Sequence, residues 1–150
     1  MSIEQAFNFV AISPNITTSG LPTIEQLAGI QAEGYGVVIN LLPDENEYAV
    51  EGERAALENQ DLEYVYIPVD YAMPNKDDFQ RFTETMDALG ERKVHIHCAA
   101  NYRVSVFYGL YALRTGVWSR ERMDEHIRSL FNPEDYPPWP EFIEQLASGE

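Results

Sequence analysis

A cysteine and an arginine stand close together where a predicted strand gives way to a predicted helix. Residues 94–97 predict a short buried strand, and Cys98, the only cysteine of the chain, follows it directly. Four residues separate Cys98 from Arg103, and apolar residues from about 104 to 115 then predict a helix. A strand–loop–helix turn brings backbone N–H groups and the positive end of a helix dipole to one point. These residues therefore predict an anion site beside a thiol.

The residue types at this turn favour nucleophilic chemistry. A helix N-terminus and an adjacent guanidinium both stabilise a thiolate, which is the nucleophilic form of cysteine. Arg103 also offers a planar fork that holds two oxygens of a phosphate or sulfate at once, which a lysine cannot do. We expect a tetrahedral oxyanion to lie next to the Cys98 sulfur. The alternative, that Cys98 is simply a small buried hydrophobic residue, stays open at this point.

Predicted strands alternate with predicted helices along the chain. Two short strands are expected before residue 20, at about 7–11 and 16–19. Thr23 and Gln26 form a capping box that starts a helix expected to stop at Gly34. The further strands are predicted at 37–42, 62–69 and 94–97, and the further helices at 51–59, 79–89, 104–115, 118–131 and 139–146. This alternation predicts one α/β domain over residues 1–150, with a mainly parallel central sheet flanked by helices. Ligands of such sheets bind beyond the carboxyl ends of the strands, where the cysteine falls.

Charge and composition narrow the classes of partner. The formal charge is −15, with only ten lysines and arginines, which argues against nucleic acid or an anionic membrane surface as a partner. The start of the chain lacks the basic and apolar regions of a signal peptide, and no run reaches the roughly 18 apolar residues of a membrane span. A single cysteine allows no disulfide within the chain. We expect a cytoplasmic protein.

The three histidines do not predict a metal site. His95 and His97 alternate on one strand beside the cysteine, but His126 belongs to a distant helix, and a closed zinc site needs four ligands. We expect no metal and no cofactor. His97 is predicted to orient the loop through hydrogen bonds, and His95 to be a hydrogen-bonded histidine of the core or an interface.

The order of several motifs resembles the cysteine-dependent protein tyrosine phosphatase superfamily, in particular its small bacterial dual-specificity-like branch. The resemblance implies a phosphotyrosine-phosphatase-like three-layer sandwich. It also implies that Cys98 attacks phosphorus, that Arg103 binds the phosphoryl oxygens and that Asp70, on a separate loop, protonates the leaving oxygen. Ser105 would help the thiolate to leave. The motifs that carry it are His97-Cys98, Arg103, Ser105, Ser19-Gly20-Leu21-Pro22, Val38-Ile39-Asn40-Leu41 and Ile67-Pro68-Val69-Asp70. The predicted phosphate-binding loop comprises Ala99, Ala100, Asn101, Tyr102, Arg103, Val104 and Ser105.

Two departures from the family pattern leave the reaction open. The usual loop has five residues between cysteine and arginine, whereas this one has four, and Asn101 stands where the family favours glycine. Rhodanese-like sulfurtransferases often have the shorter spacing, and their cysteine carries a persulfide. A third possibility is a domain that binds oxyanions without turning them over. Asp77 and Asp78 are alternatives for the acid, although charges at a helix start suffice to explain them.

For a phosphatase, the expected substrate is a phosphorylated small molecule or a phosphoprotein, with phosphate or sulfate able to occupy the loop. The negative charge predicts poor affinity for acidic phosphopeptides. The sequence does not predict the oligomeric state.

Overall fold

The computed structural model describes residues 2–149 and contains a five-stranded sheet at its centre. The strands are β1 (Val10–Ser13), β2 (Ile16–Ser19), β3 (Tyr35–Asn40), β4 (Glu63–Tyr66) and β5 (Lys93–His97). Their order is β1-β2-β5-β3-β4, and only the edge strand β1 runs antiparallel to its neighbour. The carboxyl ends of β2, β5, β3 and β4 therefore lie at one edge of the sheet, as the prediction of a mainly parallel sheet requires.

Helices cover both faces of this sheet, so the fold is a three-layer α/β sandwich. The six α-helices within residues 2–149 are α1 (Ile24–Ala28), α2 (Glu53–Glu58), α3 (Lys76–Asp87), α4 (Tyr102–Arg114), α5 (Arg120–Arg128) and α6 (Trp139–Ala147). Leu27 of α1 and Leu57 of α2 belong to one buried cluster, with Val38 of the sheet. The larger cluster on the other face takes side chains from α3 to α6, among them the fully buried Phe107 and Trp139.

Helix α4 is the central helix of the larger layer. Nine of its thirteen residues are buried, and its Phe107 ring packs edge-on against Phe79 and Phe82 of α3. An almost entirely buried helix needs apolar residues on nearly all sides, which explains the continuous apolar sequence there. Its N-terminus is thereby fixed directly after β5.

Several predicted boundaries were wrong for local reasons. The first strand begins at Val10 rather than near residue 7, because Asn8 adopts a positive φ of 53° that an extended strand does not contain. The capping box at Thr23 and Gln26 is present as predicted, but α1 ends at Ala28 and a separate 3₁₀ turn leads to Gly34. Strand β4 ends at Tyr66, so the last residues of the predicted 62–69 strand form a loop.

Helix α4 begins at Tyr102, two residues before the predicted start, which places Arg103 in its first turn. Within residues 2–149, no helix is long and apolar enough to cross a bilayer.

Candidate active site

Cys98 follows the central strand β5 at the carboxyl edge of the sheet. Its side chain is fully buried, and β2 and β3 flank β5 on its two sides. Asn101 then takes the left-handed conformation, with φ of 70°, directly before α4 begins. Asparagine tolerates this conformation better than most residues, so it can replace the glycine of the family pattern. The chain thereby turns from strand to helix within the four residues after the cysteine.

The carbonyl groups of this turn are held by donors on its outer side. The Ala99 carbonyl accepts from the Leu21 N–H at 2.9 Å, and the Ala100 carbonyl accepts from the Asn8 carboxamide at 3.0 Å. A trans peptide is planar, with its C=O and its N–H on opposite sides. Fixing these two carbonyls therefore fixes the direction of the Ala100 and Asn101 N–H groups.

Hydrogen bonds to their carbonyls also fix the orientation of the two peptides at the start of α4. The Asn101 carbonyl accepts from the Ser105 N–H at 3.0 Å, and the Tyr102 carbonyl accepts from the Ser105 hydroxyl at 2.7 Å. The directions of the Tyr102 and Arg103 N–H groups are thus fixed as well.

Six successive backbone N–H groups, those of residues 99–104, are free of protein acceptors within residues 2–149. Helix N-termini leave such donors unpaired, and successive N–H groups around a left-handed residue form an anion-binding concavity. Together with the dipole of the thirteen-residue α4, these donors can bind an oxyanion at the turn that follows Cys98. We call residues 98–105 the cradle.

Arg103 connects the cradle to the loop that follows β4. Its guanidinium Nε donates to the Val69 carbonyl at 2.9 Å, and its central carbon lies 4.9 Å from the centre of the Tyr71 ring. The residue is only 7% exposed, so these contacts hold the guanidinium in one place. The remaining guanidinium nitrogens make no hydrogen bond to protein within the described part of the chain, which leaves them available to an oxyanion.

Asp70 lies on the loop after β4, next to the residue that Arg103 contacts. It is exposed, and it borders a cleft of about 590 Å³ that Arg103, Glu45 and Tyr71 also line. One carboxylate oxygen accepts from the Ala72 N–H at 2.9 Å, which orients the group within its turn. The structure therefore brings Asp70 and Arg103 to the same cleft.

The two alternative acids have structural roles instead. Asp77 and Asp78 lie in the first turn of α3, where Asn75 is the N-cap and donates from its side chain to Asp78 at 3.1 Å. Asp78 also lies 3.7 Å from the Arg81 guanidinium. Burial raises the pKa of Asp78 above its usual value. Neither residue is among those that line the cleft of Asp70.

His97 is anchored by a residue that the sequence did not suggest. Its Nε2 lies 2.6 Å from the Glu53 carboxylate, and both side chains are buried. A carboxylate only accepts, so the His97 Nε2 carries the proton. The Nδ1 atom lies 3.5 Å from the Cys98 carbonyl, at the outer limit of a hydrogen bond. Glu53 comes 44 residues earlier, at the start of α2, and no motif marks it.

His95 belongs to a chain of buried hydrogen bonds under the cradle. The Ser19 hydroxyl donates to the Gly20 carbonyl at 2.8 Å and therefore accepts from His95 Nε2, also at 2.8 Å. The His95 Nδ1 then accepts from Thr17 at 2.8 Å, and Thr17 accepts from the Tyr35 hydroxyl at 2.7 Å. Burial holds the pKa of His95 well below its usual value, so the ring is neutral. The expectation of a hydrogen-bonded core histidine is confirmed.

Gly20 explains one of the motifs that accompany the cradle. A β-carbon at this position would lie 2.7 Å from the Ala99 carbonyl oxygen and 2.9 Å from both the Ala100 Cα and the Phe7 ring. Real β-carbons are essentially never that close to other atoms, so only glycine lets β2 pass under the cradle.

Ser105 lies at the first turn of α4, where its hydroxyl donates to the Tyr102 carbonyl. Its role toward the thiolate stays a prediction. Within residues 2–149, no group of three histidine, cysteine or acidic side chains is arranged to hold a metal ion.

Comparisons with known proteins relate the chain to phosphatase-like folds. No family profile matches it. It is 30% identical over 104 residues to the beta-lactamase hydrolase-like protein of Agrobacterium fabrum, but it spans only 24% of the length of that protein. The crystal structure of a "putative phosphatase (DUF442)" from Shewanella putrefaciens CN-32 superposes with a TM-score of 0.87 at 32% identity, covering 96% of this chain and 92% of the other.

Two more distant structures share the fold. The core catalytic domain of the PP-IP phosphatase SIW14 from S. cerevisiae, in complex with citrate, gives a TM-score of 0.76 at 17% identity, covering 97% of this chain and 88% of the other. The P. aeruginosa protein TpbA gives 0.72 at 18% identity, covering 95% and 89%. The likeness to the Shewanella protein over almost the whole of both chains establishes the relationship. The chain belongs to the DUF442 family, and it shares its fold with the phosphatase SIW14 and with TpbA.

Proposed function

We propose that the protein is a cysteine-dependent phosphatase that hydrolyses phosphate monoesters through a cysteinyl-phosphate intermediate. The observation that carries this proposal is the row of six unpaired N–H groups in the residues that directly follow Cys98. Donors fixed before the substrate arrives stabilise the charge on the phosphoryl oxygens without having to reorganise. Arg103, Asp70 and Cys98 supply the remaining groups that the reaction needs.

The proposed reaction gives each of these three residues one role. The Cys98 thiolate attacks phosphorus, the S–P bond forms and the bond to the leaving oxygen breaks, while Asp70 gives that oxygen a proton. Water then attacks the cysteinyl phosphate, Asp70 takes a proton from it, and the S–P bond breaks to release phosphate and the thiolate. Arg103 and the N–H groups of the cradle hold the equatorial oxygens through both steps.

The nucleophile and the arginine are tested with p-nitrophenyl phosphate. We expect Cys98→Ser to abolish turnover and Arg103→Lys to lower kcat/KM by roughly a hundredfold, because lysine lacks the planar fork. Trapping of phosphorylated protein by rapid acid quench would identify Cys98 as the carrier. Equal turnover by the wild type and by Cys98→Ser would refute the proposal.

The acid is tested by changing the leaving group. Asp70→Asn should slow phenyl phosphate much more than p-nitrophenyl phosphate, since p-nitrophenolate leaves without a proton and phenolate does not. Asp77→Asn is the matched control, because Asp77 is an exposed aspartate at the start of α3 and does not line the cleft. A loss in Asp70→Asn that does not depend on the leaving group would exclude Asp70 as the acid.

A sulfurtransferase is the second candidate, and two observations favour it. Only four residues separate Cys98 from Arg103, and the Ser105 hydroxyl, which the phosphatase family directs at the thiolate, donates to the Tyr102 carbonyl instead. The same oxyanion cradle would then bind thiosulfate, and the Cys98 thiolate would attack its outer sulfur. A new S–S bond forms while the S–S bond of thiosulfate breaks, so sulfite leaves and Cys98 carries a persulfide. Intact mass after incubation with thiosulfate, together with thiosulfate-dependent formation of thiocyanate from cyanide, separates this reaction from phosphate transfer.

The substrate is a phosphorylated small molecule or a phosphoprotein. TpbA has been crystallised with phosphotyrosine and SIW14 with citrate, and both ligands are anions of the kind the cradle would hold. If phosphate or sulfate binds and neither reaction is detected, the domain is an oxyanion-binding protein. We further propose a cytoplasmic location, in keeping with the single thiol.

A further inference from the structure

The segment before β1 reaches the middle of the cradle through two hydrogen bonds that asparagine side chains donate to backbone carbonyls. The Asn8 carboxamide donates to the Ala100 carbonyl at 3.0 Å, and the Asn101 carboxamide donates to the Asn8 carbonyl at 2.9 Å. The residues are 93 positions apart in the sequence. Both backbones are left-handed, with φ of 53° at Asn8 and 70° at Asn101. The Asn8 side chain therefore holds the carbonyl of the residue before Asn101, and the Asn101 side chain holds the carbonyl of Asn8.

The orientation of the Asn101 side chain is determined by its surroundings. Its Nδ2 lies 2.9 Å from the Asn8 carbonyl and 3.1 Å from the Thr18 hydroxyl. A carbonyl can only accept, so the nitrogen and not the oxygen must face Asn8. Asn101 is completely buried, which leaves this side chain little freedom to turn. Asn8, which precedes β1, and Thr18, which lies in β2, thus fix Asn101, the residue at which the cradle bends.

The contact at the Ala100 carbonyl has a direct consequence for anion binding. If this peptide were free to rotate, its carbonyl oxygen could turn toward the cradle and present a negative dipole to the anion. With the carbonyl held by Asn8, the Asn101 N–H on the other side of the same peptide is directed away from Asn8. The carbonyls of Ala99, Asn101 and Tyr102 accept from Leu21 or Ser105, so among residues 99–102 Asn8 is the one side chain from outside the cradle that holds a carbonyl.

We propose that Asn8 is a positioning residue of the active site, which keeps the Ala100–Asn101 peptide in its anion-binding orientation. This inference rests on the proposed oxyanion function of the cradle. Asn8 acts through the backbone and does not touch the substrate. Its loss should therefore weaken oxyanion binding while leaving the fold intact, since it is half-buried and lies outside both hydrophobic clusters.

Two substitutions separate the hydrogen bond from the backbone conformation. Asn8→Asp keeps the shape and the tolerance for positive φ, but it replaces the donor by a carboxylate that repels the Ala100 carbonyl. Asn8→Gly also accepts positive φ, adds no charge and removes the donor. Asn15→Asp is the matched control, because it makes the same change at an exposed position in the turn between β1 and β2, at the other edge of the sheet.

The primary measurement is binding of inorganic phosphate and of sulfate, followed by the NMR shifts of the Asn101 and Tyr102 amide groups. We expect both Asn8 variants to bind about tenfold more weakly than the wild type, with the Asn15→Asp control unchanged. For p-nitrophenyl phosphate, KM should rise more than kcat falls. The midpoint of thermal unfolding is recorded for all variants, so that loss of fold is recognised.

The outcomes distinguish this inference from the proposed function. If the wild type binds the anions at these amides and the folded Asn8 variants bind them equally well, the positioning role of Asn8 is wrong and the phosphatase proposal stands. If the wild type itself shows no shift at these amides, the oxyanion function fails, and the role of Asn8 with it. If Asn8→Gly does not fold, the comparison of Asn8→Asp with Asn15→Asp alone decides the question.

Discussion

Removing the Glu53 carboxylate should destabilise the protein far more than removing an exposed carboxylate. The His97 and Glu53 side chains are 1% and 5% exposed, so the pair is buried and removal of Glu53 leaves His97 Nε2 without its partner. Breaking a buried pair by removing one member typically costs about 3–5 kcal/mol. We therefore expect Glu53→Ala to lower the free energy of unfolding by about 3 kcal/mol. In a chain of this size, that would lower the Tm by roughly 10 °C.

Glu53→Gln tests whether the charge or only the acceptor matters. The amide oxygen can still accept from His97 Nε2, so the loss should be about 1 kcal/mol, the difference between a charge-assisted and a neutral hydrogen bond. The matched control is Glu63→Ala, which removes the partner of Arg92 from a pair at 2.8 Å whose side chains are 44% and 53% exposed. Exposed pairs of this kind contribute about 0–1 kcal/mol.

Urea denaturation followed by circular dichroism measures these differences at one pH. The reasoning predicts the order Glu53→Ala, then Glu53→Gln, then Glu63→Ala, from the largest loss to the smallest. An equal loss for Glu53→Ala and Glu63→Ala would refute it, because the buried position of the first pair would then have no energetic effect.

Three further predictions concern the cradle, a buried histidine and the charge of the cleft. Gly20→Ala should reduce kcat/KM by at least about tenfold, because its β-carbon would lie 2.7 Å from a carbonyl oxygen of the cradle. Gly29→Ala is the control and should be neutral, because a β-carbon there meets no atom within 4 Å. Similar rates for the two variants would count against this packing. Burial lowers the pKa of His126 from 6.5 to about 4. Between these two pH values, the unfolded chain binds a proton at His126 that the folded chain does not bind. Stability that is present above pH 6.5 is therefore lost as the pH falls toward 4. Urea titrations should show about 1.4 kcal/mol of this loss at about pH 5.5 in the wild type but not in His126→Gln, and parallel curves would contradict the assignment. Glu45 lines the cleft and repels an anionic substrate, so Glu45→Gln should lower KM for p-nitrophenyl phosphate about twofold at low salt and not at high salt, where charges are screened. Asp61→Asn, in the turn before β4, is the control and should leave KM unchanged. An effect of Glu45→Gln that persists at high salt would point to a cause other than charge.

The sequence was sufficient to predict the fold and the place of Cys98. Both predictions rest on strong local patterns, because an apolar strand, a capping box and a nearly all-apolar helix can each be recognised in a short stretch of sequence. The start of the first strand was predicted wrongly because it depends on one backbone angle, the positive φ of Asn8. No hydrophobic pattern reveals such an angle. The loop after β4 was also predicted as strand, since its apolar residues are buried without belonging to the sheet.

The supports of the cradle could not be predicted from the sequence. Glu53 and His97 are 44 residues apart, and Asn8 and Asn101 are 93 apart, so neither pair produces a local pattern. Both pairs depend on which strands become neighbours in the sheet. The strand order places β2 and β3 on either side of β5, and only this order brings the segments before β1 and after β3 to the cysteine.

The central position of β5 has a consequence for the local stability of the protein. Within the sheet, β5 is the strand that joins the β1-β2 pair to the β3-β4 pair, and two-stranded pairs are marginally stable alone. The amide hydrogens of β5 should therefore exchange with solvent only when the sheet as a whole opens, among the slowest of the protein. The unpaired N–H groups of residues 99–104 begin one residue after Cys98, and without an anion they should exchange quickly. Cys98 thus lies between a strand whose amides should exchange slowly and a turn whose amides should exchange quickly, and a bound oxyanion should slow the exchange of the turn.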